Sequence, residues 1–237
     1  MPAMPTRPAS VSGLGSFPTY DGFRFFPVGN GARERLRARL GFSGNVLLAI
    51  DYPGAAGKLL QLVEAFGHVA KREGSAMLRL AVASPKPTFA EREQLAFLRR
   101  RVAASPHSDR IFLTEAPTEA ERPDLCRAAD LFVSVQDTLN GWRHALEAMA
   151  CGLPAVLPEV PSRLRGLAFG RHALTADTTD ATDLGVTMLT ILRHTNIRGR
   201  LARMGAHYAR TFLAWSGPHS ISDASNEDVP APQPAYP

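Results

Sequence analysis

Residues 127–157 read RAADLFVSVQDTLNGWRHALEAMACGLPAVL, and this stretch decides the fold. Its first part, LFVSV at 131–135, is a short apolar run of the kind that forms a parallel strand buried on both faces. The next part is helical from 140 to 151, where Trp142, Ala145, Leu146 and Met149 recur as one apolar stripe at helical spacing. Gly152 then caps the helix, and residues 155–157 resume as a strand.

The alternation extends outward from there. Upstream, residues 45–51 (NVLLAID) form a strand bounded by Gly44 and Pro53, residues 77–83 (MLRLAVA) a second ended by Ser84-Pro85, and residues 110–114 (RIFLT) a third. Leu59, Val63, Phe66 and Ala70 mark a helix stopped by Gly74. Residues 89–104 form another, with Glu91, Arg92, Arg99 and Arg100 on its wet faces, and Pro123 opens a short one. From about Asp180 the chain turns helical, with one stripe at Leu184, Met188, Ile191 and Leu192 and another at Leu201, Met204, Tyr208 and Phe212. Five strands joined by crossover helices predict an α/β fold: a doubly wound parallel sheet in a single Rossmann-like domain with C-terminal helices.

The chain has 237 residues and is 45% hydrophobic, enough to bury a sizeable core. The expected organisation is a disordered proline-rich segment at 1–19, the folded domain at 20–215, and a disordered, acidic, proline-rich tail at 216–237. The net charge of +5 rests on scattered arginines, which make solvated faces and no nucleic-acid surface. Arg33, Arg35, Arg37 and Arg39 alternate at a spacing of two, which spreads charge around a helix. Cys126 and Cys151 fall in helical segments and make neither a disulfide framework nor a metal site. No apolar run reaches signal-peptide or membrane-span length, so the expectation is a cytoplasmic protein without an integral membrane segment.

In such folds ligands lie beyond the carboxyl ends of the strands. Lys58 stands at the start of the helix after the first strand, where the helix dipole disfavours a cation unless an anion joins it. A bound phosphate would resolve that conflict; an exposed lysine with its head in water is the competing reading. Residues 136–141 (QDTLNG) lead into the helix that carries Glu147. Arg143 and Glu147 share a face outside the apolar stripe, which puts Glu147 outside the core. Its carboxylate either accepts two hydrogen bonds from a ribose diol or pairs with Arg143, and the residues alone favour the ion pair. His144 with Glu147 lacks further metal ligands, Gly29-Asn30-Gly31 lacks the third glycine of a dinucleotide loop, and Ser134 lacks a nucleophile elbow.

The runs at 127–135 and 146–156 (LEAMACGLPAV) resemble the donor-binding half of the family 4 glycosyltransferases of GT-B fold, the glycosyl transferases group 1. The likeness extends from residue 20 to 215, through YDGFRFFP at 20–27, EAF at 64–66, Phe112-Leu113 followed by Pro117, and Phe212 to Trp215. It implies one half of a GT-B fold that holds a nucleotide-sugar donor, a UDP-, GDP- or ADP-sugar. The sugar would pass to an acceptor hydroxyl with retention, without a redox cofactor or an obligatory metal.

A nucleoside diphosphate leaving group needs preorganised positive donors. The resemblance sets Glu147 on the ribose and Lys58 near the phosphates, and it puts loop backbone at Ala116, Asn140 and Gly141 on the donor, with Arg143 a further candidate. The first glutamate of the family's pair falls at Leu139; Asp137, two residues away, would need a local rearrangement to substitute, and no catalytic residue is assigned. The family's phosphate arginine falls at Tyr52, Ser84-Pro85 replaces a glycine-rich turn, and Pro161-Ser162 stands where paired glycines are usual. The likeness also begins where the family's second domain begins, so the acceptor half is expected in a separate chain, this one being a fragment or subunit. The alternative is a non-catalytic nucleotide-sugar-binding or scaffold relative with a degenerate phosphate site; a third reading is a stable fold with no ligand.

Overall fold

A computed structural model describes residues 24–51, 56–82, 88–115, 117–159 and 166–215. The expected disordered ends and Ala116 lie outside these residues. In chain order the elements are α1 (Asn30–Leu40), β1 (Val46–Asp51), α2 (Ala56–Ala70), β2 (Met77–Val82), α3 (Phe89–Ala103), β3 (Ile111–Thr114), α4 (Arg122–Ala128), β4 (Leu131–Val133), α5 (Leu139–Ala150), β5 (Ala155–Pro158), β6 (Leu174–Ala176), α6 (Ala181–Arg193) and α7 (Thr195–Trp215).

The strands form one parallel sheet in the order β3-β2-β1-β4-β5-β6. Because side chains alternate along a strand, β1 splits its residues between two cores. Leu47 and Ala49 join α2, α3 and α6, whereas Val46, Leu48 and Ile50 join α4 and α5. Helices therefore cover both faces, the doubly wound arrangement predicted. The sixth strand, β6, was not among the five expected. It is three residues long and only Ala176 of it is buried, so it lacks the apolar run that marks the others.

Two further expectations need correction. The α1 arginines do not spread evenly. Arg33 and Arg37, four residues apart and so on one face, converge on Asp130 at 2.7 and 2.9 Å and on the carbonyls of residues 127–129 at the end of α4. There they neutralise the negative end of that helix. Asp130 also accepts from the Val46 backbone at 2.9 Å, which ties α1 to the start of β1. Among the described side chains of α7, which exclude Phe212, the fully buried positions are Leu201, Gly205, Ala206 and Ala209, while Met204 and Tyr208 are half-buried and Tyr208 packs against the core. Small residues bring α7 close to its neighbours: a Cβ on Gly205 would lie 2.8 Å from the His172 carbonyl.

Candidate functional site

The sheet order reverses direction between β1 and β4, and that switch point is where open α/β sheets hold ligands. Two helices start there, α2 after β1 and α5 after β4, so the positive ends of two helix dipoles flank one crevice. Lys58 is exposed in the first turn of α2 and makes no ion pair with a described residue. Asn140 is exposed in the first turn of α5. Lys58 thus stands at the start of α2, and Asp137, Asn140 and the buried Gly141 at the start of α5, on the two sides of the β1/β4 switch point.

The loop into α5 is held by its own polar groups. Thr138 caps the helix, its hydroxyl accepting from the Gly141 amide at 3.1 Å. A Cβ on Gly141 would lie 2.7 Å from the Gln136 carbonyl. The turn itself demands glycine there, and the Gly141 amide is already used. Asp137 accepts from the Trp142 indole at 2.7 Å, which holds it against α5; Leu139 opens the helix. Across the crevice, the Gln136 side-chain amide donates to Asp51 at 2.7 Å, joining the ends of β4 and β1 with a carboxylate beside the gap.

Glu147 departs from its expected place outside the core. It is 0% exposed, and three hydrogen bonds converge on its carboxylate. Arg122, the first residue of α4, donates from Nε at 2.9 Å and from Nη2 at 3.2 Å, and Arg143 donates from Nε at 3.0 Å. Both arginines also reach the exposed Glu119, at 3.5 and 3.3 Å. The ion pair with Arg143 read from spacing is present; the dominant partner is Arg122, which no local pattern links to Glu147. Two arginines and two glutamates cancel in charge, so the cluster closes on itself. Burial pushes the Glu147 carboxyl up, against the pull of the two guanidiniums, and Arg122 followed by Arg143 holds Glu119 down. A carboxylate has about four acceptor positions, so Glu147 retains one, plus any that Arg143 gives up.

His144, one turn into α5, faces the Ile50 carbonyl at 3.3 Å. Burial, assisted by Arg122, pushes its imidazole down to about 4, so it is neutral at pH 7. The helix ends as expected at Gly152, whose φ of 79° lies in the left-handed region. Leu153 N–H bonds Ala148 O at 3.1 Å and Gly152 N–H bonds Met149 O at 2.8 Å, a Schellman stop that turns the chain into β5.

The family profile of glycosyl transferases group 1 matches residues 37–194, which include both sides of this crevice. The chain belongs to that family. It is 38% identical over 200 residues to mannosylfructose-phosphate synthase of Agrobacterium fabrum, covering 84% of this chain and 44% of that protein. The chain thus spans less than half the length of the curated relative it matches. Among solved structures, the C-terminal domain of LpcC, a glycosyl transferase group 1 family protein of Francisella tularensis, superposes with a TM-score of 0.66 at 15% identity, over 81% of this chain and 97% of that one. HepE of Anabaena, solved with UDP and glucose, gives a TM-score of 0.69 at 17% identity, over 83% of this chain and 52% of that one. The group 1 fold is therefore shared, and the sheet corresponds to one half of a GT-B transferase. No described helix is long and apolar enough to cross a membrane.

Proposed function

We propose that this chain is the nucleotide-sugar-binding half of a retaining hexosyltransferase of group 1, acting with an acceptor-binding half. The observation that carries the reading is the crevice between β1 and β4, where α2 and α5 both present their N-terminal ends and Lys58 adds a cation. Such a place favours the diphosphate of a donor and the negative charge that grows on it as the sugar leaves. The ribose hydroxyls take the position of Arg143 on Glu147, while Arg143, 20% exposed, moves fully onto Glu119. Arg122 stays bound and keeps the buried carboxylate ionised. In the transfer step the bond from the anomeric carbon to the diphosphate oxygen breaks, the acceptor oxygen bonds on the same face, and its proton leaves with the diphosphate.

A second reading has an observation of its own. The Gln136 side chain donates to Asp51 at 2.7 Å, which leaves a carboxylate at the end of β1 beside the crevice and favours a non-catalytic nucleotide-sugar-binding or scaffold relative with a degenerate phosphate site. Hexose transfer from UDP-, GDP- and ADP-hexoses, measured with the chain alone and mixed with the acceptor half of a group 1 relative, separates the two. Turnover only in the mixture supports the transferase. Donor binding with no turnover in any mixture leaves the second reading standing.

A further inference from the structure

Helix α3 carries an apolar stripe on its outer side. Of its 15 residues it buries only Leu98 and Val102, whereas α2, equally long, buries Ala56, Leu59, Leu62, Val63, Ala65, Phe66, Val69 and Ala70. On the face opposite Leu98 and Val102, by the helical period, lie Phe89, Glu93, Ala96, Phe97, Arg100 and Ala103. Phe89 is 70% exposed and Phe97 44%. Single apolar residues on a surface are ordinary. These two share one face with alanines, where a solvated helix normally places polar residues. Positions 89, 93, 96, 100 and 103 step by four and by three, the spacing of a seam that meets a second helix.

The two charges on this face indicate which helix that is. Glu93 and Arg100 are both exposed, and their side chains make no hydrogen bond or ion pair with a described residue. They stand about two turns apart, one toward each end of the stripe. If a second α3 lies antiparallel on the first, with a twofold axis between residues 96 and 97, residues equally far from that axis face each other. Glu93 then faces Arg100, Phe97 faces Ala96, and Phe89 faces Ala104, and the symmetry repeats each contact in reverse. Each ring meets a small residue and each charge meets its opposite. The antiparallel arrangement also sets the two helix dipoles head to tail. A parallel pairing would put Glu93 against Glu93 and Arg100 against Arg100.

We propose that the outer face of α3 is the surface through which two copies of this chain associate, with their α3 helices antiparallel. A helix of this length extends about 22 Å, so the contact falls at the small end of specific interfaces, below about 1,200 Å². The dimer is therefore reversible and concentration-dependent.

Sedimentation equilibrium of the full chain, run from micromolar to near-millimolar concentration, tests this. The parent should move from the monomer mass toward twice that mass. Glu93→Arg alone and Arg100→Glu alone each set like charges against one another, and each should weaken association at least about tenfold, the equivalent of 1.4 kcal/mol. An equimolar mixture of these two variants should regain the parent's association, because every reversed charge then faces its opposite. Phe97→Ala should also weaken association. Because all three positions are exposed, each variant should melt close to the parent temperature, which separates lost association from lost fold. A parent that stays monomeric throughout, association untouched by the charge reversals, or a mixture no better than its components would overturn the proposal.

Discussion

Arg122 and Glu147, 25 residues apart in sequence, meet in a two-pronged ion pair at 2.9 and 3.2 Å whose side chains are 11% and 1% exposed. It fastens the start of α4 to the middle of α5, and so fixes the carboxylate proposed for the donor ribose.

Replacing one member leaves the other buried and uncompensated. Arg122→Met should therefore cost about 3–5 kcal/mol in unfolding free energy. Arg122→Met combined with Glu147→Gln should cost less than the sum of the single changes, because both remove the same interaction. Urea unfolding of the four proteins checks this; additive costs would show that the pair is not coupled.

Arg143 is the lesser partner. Its pair with Glu147 is an i, i+4 contact at 3.0 Å between side chains 20% and 1% exposed, and Arg122 still holds the carboxylate when it is removed, so Arg143→Ala should cost less than Arg122→Met, about 1.5–3 kcal/mol. With that guanidinium gone, an oxygen of Glu147 is free for the ribose, and donor affinity should rise a few-fold. An affinity that falls would mean that Arg143 itself holds the donor.

At Gly141 the obstacle is steric. A methyl group would press on the Gln136 carbonyl at 2.7 Å and on the Ser134 and Thr138 hydroxyls at 3.2 and 3.3 Å. Gly141→Ala should destabilise by about 1–3 kcal/mol and loosen the cap at Thr138, read by thermal melting and by faster amide exchange over the first turn of α5.

The His144 imidazole titrates near 4 when folded, against about 6.5 when unfolded. A histidine with a lowered pKa contributes stability that is complete above pH 6.5 and is lost as pH falls toward 4. The full loss amounts to about 3 kcal/mol. His144→Gln should flatten the stability profile between pH 6.5 and 4 relative to the parent, measured by urea unfolding at stepped pH; parallel profiles would show that the imidazole is not shielded.

The main strands were legible because each of β1, β2, β4 and β5 is a run of apolar residues closed by glycine, proline or a polar residue, and a parallel sheet buries both faces of such a run. β6 was not, since three residues with a half-buried face carry no period. Trp142, Ala145, Leu146 and Met149 are all buried, as their spacing required. The same projection left Glu147 in solvent, because a helical wheel knows nothing of α4, which covers that face with Arg122 at its tip. Arg33 and Arg37 failed similarly: their partners, Asp130 and the end of α4, lie more than 90 residues away. Lys58 lies in the first turn of α2 and Asn140 and Gly141 in that of α5, and the hydrogen bond from the Gly141 amide to Thr138 gives that glycine a structural reason the motif did not contain.

The central claim, that Glu147 anchors a nucleotide sugar in the β1/β4 crevice, is tested most directly by calorimetric titration of the parent chain and of Glu147→Ala with UDP-, GDP- and ADP-hexoses. The expected result is saturable binding of one donor to the parent, weakened at least about tenfold in Glu147→Ala, or 1.4 kcal/mol, with Glu147→Ala still giving a cooperative melt. Heat from none of the donors, or equal binding by both proteins, would contradict it.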